Sequence, residues 1–149
     1  MTMTLIIRDP LESDEAAWRK LWAGYLTFYR TEVPEEVTAF TWARILDAGS
    51  RVSMRLAEED GALIGFAIHH YHDSTWDIAP EGYLEDLFVD DTIRGKGVGR
   101  ALIDDLVAIS KRHGWRGIYW HTALDNTRAR KLYDSYVETD NHIRYRLLT

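Results

Sequence analysis

The stretch Arg94-Gly95-Lys96-Gly97-Val98-Gly99-Arg100 lies between an apolar run and a segment of helical periodicity. A glycine turn at that junction presents main-chain N–H groups at the positive end of a helix, an arrangement that attracts phosphate, and lets the backbone approach it closely. Two common phosphate loops do not fit. A P-loop requires Ser or Thr directly after Gly-Lys, where Gly97 stands, and a dinucleotide fingerprint requires glycine three positions beyond Gly97, where Arg100 stands. Taken alone, the turn also reads as a glycine-rich hairpin or an ordinary helix start. Upstream, Glu85 and Asp86 are adjacent carboxylates of the kind that can accept a proton from an ammonium group. His69, His70, His72 and Asp73 suggest a metal site, but only His70 and His72 share a strand face, and two ligands are too few for a tight zinc centre. No metal is expected.

The elements that must position these groups follow from periodicity and caps. Leu5 to Arg8 suits an edge strand. Ser13, Asp14 and Glu15 then open a helix whose Trp18, Leu21, Trp22, Tyr25, Leu26 and Tyr29 recur at helical spacing. Pro34, Glu35 and Glu36 start a second helix running to about Asp47. Arg51–Ala57 and Ala62–Tyr71 read as a hairpin around Glu58-Glu59-Asp60-Gly61, and Tyr83–Val89 as a further strand. After the glycine turn comes a helix with Val98, Leu102, Leu106 and Ile109 on one side and Gly114 as its cap. Gly117–Thr122 is a strand, Asn126 to about Tyr136 a helix, and Ile143–Leu148 a final strand. Helices among mostly hairpin-linked strands predict a mixed α/β sheet.

Arg-x-x-Gly-x-Gly, met by Arg94, Gly97 and Gly99, resembles the pyrophosphate-binding pattern of the GNAT superfamily of N-acetyltransferases. Leu87-Phe88-Val89-Asp90 resembles the strand on which that family lays the pantetheine arm of coenzyme A. Asn126-Thr127-Arg128-Ala129-Arg130-Lys131-Leu132-Tyr133 is similar to its Asn-x-x-Ala-x-x-Leu-Tyr helix. The resemblance implies an α/β (α+β) fold, a mixed and mostly antiparallel central sheet flanked by helices, as a single domain over residues 1–149. It implies acetyl-CoA as cofactor, held by Leu87, Phe88, Val89, Arg94, Gly95, Lys96, Gly97, Val98, Gly99, Arg100, Asn126, Ala129 and Tyr133. It also assigns stabilisation of the thioester oxygen to the Val89 main chain and protonation of the departing sulfur to Tyr133, whose alternative reading is a half-buried core residue. Tyr83-Leu84-Glu85-Asp86 is similar to the diamine (spermidine/spermine) acetyltransferases. Trp18, Leu21, Tyr25, Phe28 and Tyr29, with Thr75-Trp76-Asp77 and Tyr119-Trp120, look more like the yeast histone and polyamine acetyltransferases. One departure stands out. The family usually continues from Leu-Tyr to Gly-Phe, whereas here the chain reads Asp134-Ser135-Tyr136-Val137, so the resemblance does not extend to the conformation after the last helix or to one wall of the substrate cleft.

Direct transfer to a primary amine of a small molecule, such as a polyamine or an amino acid, is the expected reaction. A protein lysine or N-terminal acetyltransferase and a non-catalytic acyl-CoA-binding module are the alternatives. An amine with a pKa near lysine's must lose a proton before it attacks. Strand alternation puts Tyr83, Glu85 and Leu87 on one face and Leu84, Asp86 and Phe88 on the other, so a single carboxylate faces the acetyl group unless a bulge intervenes. Glu85 is the first candidate for the base, directly or through water, and Asp86 the second; each could instead form a surface ion pair. Tyr29 and Glu32, with Glu35 and Glu36 nearby, are candidates for the acceptor wall, or else serve as helix N-terminal charges.

Composition bounds the rest. At 149 residues the chain has room for one domain with one core. The absence of cysteine excludes a disulfide framework and a covalent thioester on the enzyme. A net charge of −6 argues against general nucleic-acid binding. The charge is segregated: residues 94–131 hold nine Lys/Arg against three Asp/Glu, and the remainder nine against twenty-one. That would suit an anionic cofactor and a cationic substrate, or simply two solvated faces. With neither an export-signal pattern nor an eighteen-residue apolar run, the expectation is a cytoplasmic protein away from membranes, and a homodimer is plausible from the resemblance and the abundant aromatics.

Overall fold

The computed structural model describes residues 4–93 and 95–149. Its sheet has strand order β1-β2-β3-β4-β5, comprising β1 (Leu5–Arg8), β2 (Ser53–Glu59), β3 (Ala62–His72), β4 (Glu81–Val89) and β5 (Ile118–Trp120). The first three pairings are antiparallel and β4–β5 is parallel, the mixed sheet that the sequence predicts. The β2–β3 hairpin turns on Asp60 (φ 50°) and Gly61 (φ 86°), and two successive left-handed residues match the twist of the flanking strands.

Helices α1 (Glu15–Phe28) and α2 (Glu35–Leu46) pack on one face of the sheet through a layer of aromatic side chains. Trp18 is fully buried there, stacked 5.2 Å from Trp42 and 5.4 Å from Trp22, and the indole of Trp22 donates to Thr38 Oγ1 at 3.1 Å. Helix α3 (Val98–His113) covers the other face with Val98, Leu102, Ile103 and Leu106, ending at Gly114 in the left-handed conformation expected of its cap. Helix α4 (Thr127–Asp134) follows β5. Among the described residues, no helix is long and apolar enough to cross a membrane.

The expected final strand over Ile143–Leu148 does not form. Residues 143–149 join no strand pairing, and Ile143, Tyr145, Leu147 and Leu148 are 75–88% exposed. Its alternating pattern is that of a strand, but pattern alone supplies no partner for the backbone. The strand expected over Gly117–Thr122 shrinks to the three residues of β5.

Candidate active site

Strands β4 and β5 pair only from Gly82 to Leu84 and from Ile118 to Trp120. Beyond that point β4 runs on to Val89 while the chain after Trp120 leaves for α4, and a cleft of about 410 Å³ opens between them. Leu87, Phe88 and Val89 form its strand wall. Gly95, Gly97, Val98, Gly99 and Arg100 form its floor, and Asn126, Ala129, Leu132 and Tyr133 its far side.

The glycine turn is built as its sequence suggests. Gly95 (φ 88°) and Gly97 (φ 80°) are left-handed, and Gly97 is the N-cap of α3 with no side-chain cap among the described residues, an arrangement that can present the first amides of the helix to a ligand. Gly99 sits where a Cβ would come within 3.3 Å of Leu132 Cδ2. Arg94 lies outside the described residues. Lys96 is exposed and is not part of the cleft wall, whereas Arg128, which the sequence reading did not single out, is. Arg100 contributes to the cleft, but its guanidinium is engaged elsewhere, donating to Ser135 Oγ at 2.8 Å and stacking over Tyr136.

Strand β4 carries the two carboxylates, and its register explains where they point. Ile68 lies opposite Asp86 and His69 opposite Leu84, so Glu85 is the extra residue of a bulge. Alternation is thereby reset. Leu84 packs with α3, yet Phe88 packs with the α1 aromatics, although four residues of regular strand would leave them on one face. Both Glu85 and Asp86 consequently lie on the α1 side. Glu85 is exposed and bonds His70 Nε2 at 2.8 Å, while Asp86 is largely buried and accepts a 2.6 Å hydrogen bond from the Tyr25 hydroxyl. Burial pushes the Asp86 carboxyl up to about 6, against the opposing Tyr25 bond and with a further rise from Glu85. Tyr25 in turn packs against Tyr29, with ring centroids 4.9 Å apart and planes inclined by 58°.

A recess on the α1 side adjoins the cleft. It is lined by Tyr29, Leu84, Glu85, Leu87, Trp120, His121 and Tyr133, and it shares Tyr29, Leu87 and Tyr133 with the cleft. Burial pushes the Tyr133 hydroxyl up to about 12, so it stays protonated at neutral pH. Glu32 is exposed and lines neither space, and Glu35 is paired with Arg19 at 2.7 Å. The histidines go separate ways: His70 to Glu85, His72 to Tyr119, and His69 into the core, where burial lowers its pKa to about 4.

A deep cleft that ends a strand split, with helix amides at one end and apolar walls along its length, fits a cofactor with a diphosphate and a long thin arm. The model of the Acetyltransferase (GNAT) family matches residues 15–136. This chain belongs to the GNAT acetyltransferase family. The D-amino-acid N-acetyltransferase HPA3 of Saccharomyces cerevisiae is 34% identical over 144 residues, spanning 95% of this chain and 89% of its own. An aminoglycoside N(6')-acetyltransferase type 1 of Stenotrophomonas maltophilia is 28% identical over 146 residues, 95% of this chain and 92% of its own. The aminoglycoside acetyltransferase AAC(6')-Iy in complex with a bisubstrate analogue superposes with a TM-score of 0.83 at 26% identity, covering 98% of this chain and 99% of that one. The same enzyme has been solved with CoA. The chain is therefore a GNAT-type N-acetyltransferase with acetyl-CoA as its cofactor.

Proposed function

We propose that this GNAT enzyme transfers acetyl directly to a primary amine of a small molecule, an amino acid, a polyamine or a related amine. The observation that carries this reading is the recess beside Glu85, which meets the cleft at Tyr29, Leu87 and Tyr133. The recess itself is small, about 10 Å³, so it suits the ammonium group of an amine held at its mouth, where its lining sets one carboxylate among aromatic rings. The relatives named above act on D-amino acids and on aminoglycosides, which are small amines.

Bound acetyl-CoA supplies a thioester whose carbonyl carbon takes the amine nitrogen and whose sulfur leaves as a thiol. Glu85, open to the recess, takes the proton of the incoming ammonium directly or through water. Tyr133 stands at the junction of the two spaces and donates its proton to the departing sulfur. A thiol has a pKa of about 8.5, so its anion leaves more readily when a neutral phenol is at hand. The amides at the start of α3 hold the diphosphate, and Leu87 to Val89 with Asn126 and Ala129 hold the arm. Asp86 acts behind this layer, anchoring Tyr25 and through it the ring of Tyr29.

A thiol-release screen with acetyl-CoA against D- and L-amino acids, polyamines, aminoglycosides and basic peptides tests the reading. A small amine should show the highest kcat/KM. Basic peptides outcompeting every free amine, or no thiol release across the panel, would refute it.

A further inference from the structure

The pleat disperses the three histidines of β3, and one of them meets the proposed base. His69 is buried beside Trp115, which packs with the α3 cluster, so His70 projects to the opposite, α1 side. The bulge that brings Glu85 to the α1 side therefore sets it next to His70, whose Nε2 lies 2.8 Å from Glu85 Oε1. An ionised carboxylate oxygen can only accept, so Nε2 carries the hydrogen and donates it. The two partners are unequally held. The His70 side chain is 29% exposed and that of Glu85 53%, and His70 is braced by Tyr83, its register partner across β3 and β4, whose ring stands edge-on at 5.1 Å. Tyr83 is itself stacked on Tyr119 of β5 at 4.8 Å. Glu85, by contrast, is the residue that the bulge leaves without a register partner, and a long exposed side chain at such a site samples several rotamers unless something holds it.

We propose that His70 is a positioning residue for the transfer reaction: its Nε2–H holds one oxygen of Glu85 so that the other is presented to the ammonium group entering the recess. Glu85 lines the recess, whereas His70 lines neither the recess nor the cleft, so it acts through the carboxylate alone. Exposed ion pairs between two long, flexible side chains contribute little, because both must be ordered to form them. Here one partner is a ring with two torsions, already fixed against Tyr83, and only Glu85 has freedom to lose. Ordering the carboxylate before the acceptor arrives removes a cost that binding would otherwise carry. The other histidines on this face are engaged elsewhere. His72 Nε2 meets the Tyr119 hydroxyl at 2.8 Å, and His121 packs edge-on against Tyr83. This role rests on Glu85 being the base, as proposed above, and the variants below separate the two.

Steady-state kinetics of His70→Leu, His70→Gln and His70→Asn with acetyl-CoA and the most active amine of the thiol-release screen test the role, with the Kd of acetyl-CoA measured for each. Glutamine brings its amide nitrogen to about the place of Nε2, whereas the shorter asparagine stops nearer that of Nδ1. His70→Leu and His70→Asn should lower kcat/KM for the amine about 10-fold, the scale of one hydrogen bond to a charged group, without changing the Kd of acetyl-CoA. His70→Gln should stay within about threefold of wild type. In the Glu85→Gln background His70→Leu should cause no further loss, since both changes act through one carboxylate. A wild-type kcat/KM in His70→Leu, a loss shared equally by His70→Gln, or full additivity with Glu85→Gln overturns the proposal. Should His70→Leu fail to fold and bind acetyl-CoA, the contrast between His70→Gln and His70→Asn decides it. An undiminished rate in Glu85→Gln removes the base and the positioning role together; a diminished rate there beside an unaffected His70→Leu removes the positioning role alone.

Discussion

Neighbouring residues on a strand ordinarily face opposite ways, and Glu85 and Asp86 do not because the bulge at Glu85 resets the pleat. The carboxylates were visible in the sequence as candidates; the bulge that brings both to the α1 side was not, since it arises from pairing with β3. Their environments then separate their roles. With Glu85→Gln, the rate should keep climbing with pH as the fraction of free amine grows, because the proposed base is gone; a pH–rate profile parallel to wild type would exclude Glu85 as the base. Tyr133→Phe should lower kcat by about 10²-fold or more with little change in the Kd of CoA; unchanged thiol release would exclude Tyr133 as the acid. Asp86 makes a separate prediction about stability. Its folded pKa of about 6 lies above the ordinary carboxylate value of about 3.9, so the folded form holds the proton more tightly. The resulting cost is absent below pH about 4, grows as pH rises, and is complete above pH about 6, reaching up to about 3 kcal/mol. Asp86→Asn, which keeps an acceptor for Tyr25, should therefore gain stability relative to wild type between pH 4 and 7. Denaturant unfolding across that range checks it, and a constant difference would contradict it. His69 acts in the opposite direction as it resists protonation, but it is common to both proteins and cancels in the comparison.

Elements with strong local signals could be read from the sequence directly. β1 spans Leu5–Arg8 as expected, the hairpin turns at Asp60-Gly61, and α3 runs from the glycine turn to its Gly114 cap. These depend on turn chemistry and caps carried by the residues themselves. The short β5 and the unformed strand over Ile143–Leu148 depend instead on which edge is available, information that no local window contains. The glycine turn allows a clean test at this scale. A Cβ on Gly97 would meet nothing within 4 Å, so Gly97→Ala acts through its φ of 80° alone. The cost should be about 1–2 kcal/mol in urea unfolding, accompanied by weaker CoA binding as the α3 amides shift. Full retention of both stability and CoA affinity would mean that the left-handed cap is dispensable.

Across the molecule, the charge segregation noted in the sequence acquires a location. The basic stretch 94–131 contains the glycine turn and the start of α4 that line the cleft, whereas Glu85 and Asp86 belong to the acidic remainder on the α1 side. An anionic cofactor and a cationic acceptor would each meet favourable charge on approach, and salt should weaken both. The aromatic layer around Trp18 fixes α1 against β3 and so holds Tyr25 and Tyr29 over β4. The proposed function rests on one requirement, that the turn at residues 95–99 grip a diphosphate so that the thioester reaches Tyr133 and Glu85. Calorimetric titration of the full chain with acetyl-CoA, and in parallel with pantetheine, tests this most directly. Acetyl-CoA should bind at one site per chain and pantetheine, lacking the diphosphate, far more weakly; absence of acetyl-CoA binding, or equal affinity for the two, would contradict the account.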